Sequence, residues 1–174
     1  MKMKKYGALA LVVLAVMIFV WGDPFYWFER SGMTLEVGGQ KYEMKLEDAF
    51  RSDGQVMARF VSKATVPGTD RPLYEFLMQM PQILPKGVWN TDSNPAEIRL
   101  TLAGKTEVLN DHYQARTSED ARTLGWYELN LNRNASHNGY EGYIRAYVAD
   151  ANRPSRQVFM SGSFYFYVNW FGRR

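Results

Sequence analysis

A long apolar segment near the start of the chain constrains the protein more than any other feature. Residues 6–22 contain no charge and no proline, and Lys2, Lys4 and Lys5 precede them. Charged side chains are costly in hydrocarbon, and an excess of lysine marks the cytoplasmic side of a membrane segment. At about 1.5 Å per residue the segment is roughly 25 Å long, which nearly spans a hydrocarbon core of about 30 Å. We therefore predict a transmembrane helix or uncleaved signal anchor over residues 6–22, with residues 1–5 in the cytoplasm.

Aromatic residues cluster where this segment ends. Amphipathic rings prefer the headgroup region of a bilayer, because part of each ring is apolar and part is polar. We therefore expect residues 23–32 to form an interfacial linker. The residues predicted at the membrane interface are Trp21, Phe25, Tyr26, Trp27 and Phe28.

A cleaved secretory signal is the alternative interpretation of the same segment. Such signals have an apolar region of about 7 to 15 residues and end in small residues. The candidate cleavage site here is Val20-Trp21-Gly22 before Asp23, which lacks the Ala-x-Ala pattern. Both interpretations place the chain after Asp23 outside the cytoplasm.

The composition narrows the environment and the ligands of the exported part. The chain has no cysteine, which excludes disulfides and thiolate metal sites and fits a bacterial envelope. It has 21 basic and 18 acidic residues, and three lysines precede the first acidic residue, Asp23, so the exported part holds 18 of each. Nucleic-acid binding needs a clustered basic surface, so this balance argues against it. We expect a bacterial inner-membrane protein with its C-terminal domain in the periplasm or extracellular space.

Alternation of apolar and polar residues dominates the chain after residue 32. Segments 33–37 and 40–46 alternate around Gly38-Gly39, a pair that favours a hairpin turn. Asp53-Gly54 predicts a second turn. One face of the first hairpin should carry its apolar side chains, namely Leu35, Val37, Tyr42, Met44 and Leu46.

Further strands are predicted along the rest of the chain, within 55–64, 97–102, 105–117, 124–133, 140–149 and 157–171. Residues 73–84 fit either a short helix or an edge strand, and residues 85–95 read as a loop. About eight short strands without long helical patterns indicate a mainly β domain over residues 33–174. We predict an antiparallel β-sandwich, with a partly open β-barrel as the alternative.

The final strand is rich in aromatic residues on both of its faces. A central strand buried on both sides would explain them. Alternatively, one face lies in the core while Tyr165, Tyr167 and Phe171 face a partner or the lipid surface. A bare aromatic edge strand would risk aggregation, so a partner would have to cover it. These three residues are the candidate partner-binding site, and Gly162 is a predicted bulge or bend in the same strand.

Trp89 and Trp126 are the candidate glycan-binding residues, because flat aromatic rings can stack on sugar rings. Packing of one tryptophan in the core and one at its rim is the simpler explanation. Glycan binding predicts exposed, coplanar tryptophans beside a groove.

No catalytic, cofactor-binding or metal-binding residues are predicted. A hydrolase would need His112 or His137 beside a nucleophile and an orienting group, and no known nucleophile motif is present. Met78 and Met80 could be thioether ligands of copper, but methionine also fills cores. We therefore expect a non-enzymatic structural, accessory or assembly subunit of an envelope complex, with the bilayer and another envelope protein as partners. A membrane-tethered glycan- or peptidoglycan-binding module is the second hypothesis, and an envelope hydrolase is the third.

Overall fold

The computed structural model describes residues 31–93, 98–106, 109, 112–117, 123–133 and 139–168. The predicted membrane segment, the interfacial aromatic residues, Phe171 and His137 lie outside these residues. Within the described residues, we find no helix with the length and apolar character needed to cross a bilayer.

The described part of the chain contains eleven β-strands. In chain order they are β1 Gly32–Val37, β2 Gln40–Ser52, β3 Gln55–Ser62, β4 Tyr74–Pro81, β5 Gly87–Asn90, β6 Arg99–Gly104, β7 His112–Thr117, β8 Thr123–Leu124, β9 Trp126–Arg133, β10 Gly139–Asp150 and β11 Gln157–Tyr167. Every strand pair is antiparallel. The predicted mainly β, antiparallel class is confirmed.

Eight of these strands close into a barrel. Strands β10, β11, β1, β2, β3, β4, β6 and β7 pair in succession, and β7 returns to β10 where Gln114 faces Ala149 and Tyr113 faces Asp150. β9 pairs with the same edge of β10 over residues 141–147, before the part that β7 contacts. β5 in turn pairs with β9. One edge of β10 therefore pairs with two different strands, first β9 and then β7.

The β-sandwich prediction is wrong in its layering. A sandwich and a barrel both give strands with one buried face, so alternation predicts that face without specifying how the sheet closes. Closure here depends on the short β7–β10 contact, which joins the two ends of the strand order. The barrel that we considered as the alternative is closed, not partly open.

The first two hairpins follow the prediction. Gly38 and Gly39 have φ values of +59° and +82°, and Asp53 and Gly54 have +51° and +76°, as a two-residue turn with left-handed central residues requires. Leu35, with the other predicted apolar side chains of this hairpin, faces the interior. The face predicted from alternation is confirmed.

Several segments differ from the prediction. Residues 74–81 form β4, an internal strand between β3 and β6 instead of a helix or an edge. The predicted loop around Trp89 contains β5, although prolines flank it. β11 lies between β10 and β1, so the final strand is not an edge, and its pairing continues through Gly162 without a bulge. The register shifts lie elsewhere, after Leu46 in β2 and between Leu131 and Arg133 in β9, opposite Gly142 of β10.

The barrel has two ends, which hold different turns and strand termini. We call the end that holds Ser31 and the Asp53–Gly54 turn the entry end, because β1 begins there. β11 also finishes there, and the Tyr167 amide donates a hydrogen bond to the Ser31 hydroxyl at 3.3 Å. The opposite end, with the Gly38–Gly39 turn, is the far end.

Aromatic side chains fill much of the interior. The Tyr140 ring stacks on the Phe166 ring with 5.1 Å between centroids, and Phe60 meets Phe166 edge-on at 5.8 Å. Phe76 and Phe164 extend the cluster on either side. All five side chains are buried, so side-chain packing within a closed barrel accounts for this hydrophobic core.

A polar side chain lies at the entry end of this interior. The Tyr140 hydroxyl donates a hydrogen bond to the carbonyl oxygen of Gln82 at 2.9 Å. Burial raises the pKa of the Tyr140 phenol, and the Arg51 guanidinium opposes part of this rise. Arg51 faces inward because, beyond the bulge in β2, it pairs with the buried Val56.

Replacing Tyr140 with phenylalanine should lower the free energy of unfolding by about 1 kcal/mol at neutral pH, because one net hydrogen bond is lost. The raised pKa means that the folded state holds the phenolic proton more tightly. The stability that depends on this proton is therefore fully present below the pKa of the unfolded tyrosine, about 10. It is lost as the pH rises through the pKa of the folded protein. Tyr140→Phe should flatten the alkaline decrease in stability, although burial of Tyr74 preserves part of it. Urea denaturation of the full chain in mild detergent at neutral and alkaline pH measures both effects, and an unchanged alkaline slope would contradict the assignment.

Candidate interaction surface

The outer surface of the barrel differs in chemistry from one side to the other. On β2, β3 and β4, the Lys63 ammonium contacts the Glu43 carboxylate at 2.6 Å. The Arg59 guanidinium lies between Glu47 at 3.2 Å and Glu75 at 3.1 Å. These exposed pairs form a solvated surface, which we call the ion-pair face, and such pairs add little to stability.

Strands β9, β10 and β11 present a different surface, which we call the aromatic face. Alternation turns every second residue of these strands outward, opposite the buried side chains of the same strands. The six residues of the aromatic face are Trp126, Tyr143, Tyr147, Phe159, Tyr165 and Tyr167.

Three of these residues form a continuous row near the far end. Tyr147 pairs directly with Trp126 on one side and with Phe159 on the other, across three neighbouring strands. The ring centroids are 6.3 Å apart for Trp126 and Tyr147, and 5.1 Å apart for Tyr147 and Phe159. Tyr143, Tyr147 and Phe159 are 43%, 46% and 41% exposed. We call Trp126, Tyr147 and Phe159 the aromatic row.

An ion pair borders this row. The Arg145 guanidinium donates from Nε and Nη2 to the two Glu128 carboxylate oxygens at 2.9 and 3.0 Å. The hydrogen bonds and charge of Glu128 raise the pKa of Arg145 above its usual value. The same guanidinium lies 6.0 Å from the centre of the Trp126 ring. These contacts orient Trp126 and leave the two charges compensated by each other.

The predicted partner residues Tyr165 and Tyr167 occupy the entry end of the aromatic face. Their rings contact each other edge-on at 5.3 Å, and both side chains are half-buried. Phe164 and Phe166, their neighbours along the chain, face the core. β11 therefore has one core face and one outer face, as one of the two interpretations of this strand required. Binding of a partner by these tyrosines remains a prediction.

The structure does not bring the two candidate glycan-binding residues together. Trp89 pairs with the buried Leu129, so its side chain packs against the core, and its indole N–H donates to the Pro85 carbonyl at 3.0 Å. Trp126 lies on the opposite face of the sheet, beside Tyr147. A platform made from both rings is therefore absent from these two positions.

The residues considered for chemistry are also dispersed. His112 is exposed on β7 at the far end, whereas Met78 and Met80 are fully buried in β4. No group of three His, Cys, Asp or Glu side chains that could hold a metal ion occurs within the described ranges. Packing in the core is the role that the structure gives to the two methionines.

Sequence reasoning missed Tyr143, Tyr147 and Phe159. A signal was present, because Tyr143, Arg145 and Tyr147 alternate with the apolar residues of β10. The row itself was hidden, since its members belong to three strands and meet only through the register of the sheet.

Comparisons with known proteins give no relative. No family model, no curated protein and no solved structure matches the chain.

Proposed function

We propose that the protein is a membrane-anchored accessory or assembly subunit of a bacterial envelope complex. Residues 6–22 hold it in the inner membrane, and the barrel lies outside the cytoplasm. The barrel binds another envelope protein through its aromatic face. This role depends on burial of apolar surface and involves no chemical turnover.

The observation that carries the proposal is the exposed aromatic row. Adjacent half-exposed rings on neighbouring strands form a contiguous apolar patch, and such patches commonly mark interaction sites. Tyr, Trp and Arg are the residues most enriched among energetically important contacts in protein interfaces. All three types occur here, in Tyr147, Trp126 and Arg145. Because Arg145 and Glu128 compensate each other, a partner can cover them without supplying a charge.

A membrane-tethered glycan-binding module is the second candidate, supported by the exposure of Tyr147 beside Trp126. Its expected coplanar rings are not formed, since the planes of the row are tilted by 51° and 55°. Retention of the full chain on cell-wall material, with loss of retention in Trp126→Ala, would favour this candidate over the protein contact.

Disruption of the aromatic row should release the protein from its complex. The variant Tyr147→Ser/Phe159→Ser should lower the fraction of full chain that migrates in a larger complex by at least about tenfold, because interface hot spots contribute about 2 kcal/mol or more each. Native gel electrophoresis after gentle extraction of membranes measures this fraction. Folding of the variant is checked by its unfolding transition.

The matched control is Arg59→Ser, which alters the ion-pair face and should leave the complex intact. A photoreactive side chain at position 147, but not at 63, should crosslink to the protein that co-migrates with the chain. A full-length protein that migrates alone, or an adduct consisting only of two copies of this chain, would contradict the accessory role.

A further inference from the structure

We propose that the entry end of the barrel rests on the lipid surface and that Ile83 enters the headgroup region. This inference relies on the membrane anchor of the proposed function, but it concerns a surface distinct from the aromatic row. The occupant of this surface is lipid, and a protein cover is one outcome of the test below.

The length of chain before the barrel limits how far the entry end can lie from the membrane. Nine residues, 23–31, separate the apolar segment from β1. A fully extended chain of this length spans at most about 30 Å. If Phe28 lies at the interface as predicted, only residues 29–31 remain, which span about 10 Å. With residues 6–22 in the membrane, this connection keeps Gly32 within about 30 Å of the bilayer, so contact between the entry end and the headgroups is within reach.

The same end presents an unusually exposed apolar side chain. Ile83 follows β4 and is 86% exposed. Its neighbours fix the backbone: the Gln82 amide donates to the Gly54 carbonyl at 2.8 Å, and Leu84 is 2% exposed in the core. Ile83 is thus held outward between two anchored residues. An apolar side chain held in this way gains free energy when a bilayer removes it from water.

The surroundings of Ile83 also suit a headgroup layer. Lys86 is exposed three residues further along, and lysine near a membrane surface is attracted to anionic lipids. Asp53, in the turn that the Gln82 amide contacts, is an acidic residue close to Ile83.

The loops at the far end have the opposite character. The loop over residues 151–156 is exposed and carries Arg153 and Arg156, and the loop after β3 exposes Asp70 and Arg71. No large exposed apolar side chain lies in either loop. The contrast between polar far-end loops and Ile83 at the entry end gives the barrel a preferred orientation, with the far end toward solvent.

Single labels can test this orientation because the chain has no cysteine of its own. The full-chain variants Ile83→Cys and Asp70→Cys would each carry an NBD fluorophore and be reconstituted into vesicles of phosphatidylethanolamine and phosphatidylglycerol. Flotation first confirms that the chain is inserted. Nitroxide groups on the lipid headgroups should then quench the label at position 83 at least threefold more than the label at position 70.

Three other outcomes of this experiment would each overturn the inference. Flotation with equal, weak quenching at both positions would overturn the orientation and leave the anchor intact. A water-excluded label at position 83 that lipid nitroxides do not quench would indicate a protein cover and would also overturn the proposal. A chain that fails to float would overturn the anchor, and with it both this inference and the membrane part of the proposed function.

Discussion

Replacing Gly125 with alanine should lower the free energy of unfolding by about 2–5 kcal/mol. Gly125 has a φ of +69°, a conformation that costs other L-residues about 1–2 kcal/mol. A Cβ at this position would also lie 2.7 Å from the Gln114 carbonyl oxygen and would clash with the Tyr147 carbonyl oxygen. Both are backbone atoms at the closure of the barrel, and overpacking of this kind adds about 1–3 kcal/mol. Urea denaturation of the full chain in mild detergent, followed by near-UV circular dichroism, measures the loss.

Gly68→Ala is the matched control, because Gly68 has a similar φ of +78° but open space around its Cα. We expect this variant to lose only the conformational part of the free energy of unfolding, about 1–2 kcal/mol. Equal losses in the two variants would show that the backbone conformation alone accounts for the effect. The close approach at Gly125 would then have no measurable role in stability.

Replacing Phe166 with alanine should have the second large effect, a loss of about 3–5 kcal/mol. The ring is fully buried and contacts the rings of Phe60, Tyr140 and Phe164 at 5.8, 5.1 and 5.9 Å between centroids. Truncation removes its transfer free energy and leaves a cavity among side chains that neighbouring strands hold in place. The same denaturation measurement reports the loss.

Tyr165→Ala provides the control within the same strand. Its side chain is half-buried on the outer face and contacts Tyr167, so we expect a loss of about 1 kcal/mol, typical of point substitutions. A loss at Tyr165 as large as that at Phe166 would contradict the assignment of opposite faces. It would indicate that both faces of β11 are structural.

Local patterns predicted the strands and their buried faces well. The Gly38–Gly39 and Asp53–Gly54 turns require glycine for reasons that act within four residues, so sequence alone identifies them. The closure between β7 and β10 involves only two residue pairs and has no local signature. β5 was missed because it is four residues long and lies among prolines.

The candidate surface was predictable only in part. Alternation in the final strand placed Tyr165 and Tyr167 on one face, and the structure keeps them there. The aromatic row required knowledge of the register, because Trp126, Tyr147 and Phe159 are brought together by pairings across three strands. The sequence allows one tryptophan in the core and one at its rim, and only the register of the sheet shows that Trp89 faces the core and Trp126 the outer surface.

The position of β11 between β10 and β1 has a consequence for biogenesis. β1 cannot complete its pairing until β11 has also been synthesised, because Gly32 pairs with Tyr165 and Val37 with Met160. Such pairing between distant parts of a chain carries a high loop-closure cost and slows folding. One edge of β1 therefore stays unpaired until β11 is available, which makes this interval the one in which a chaperone would be of most use.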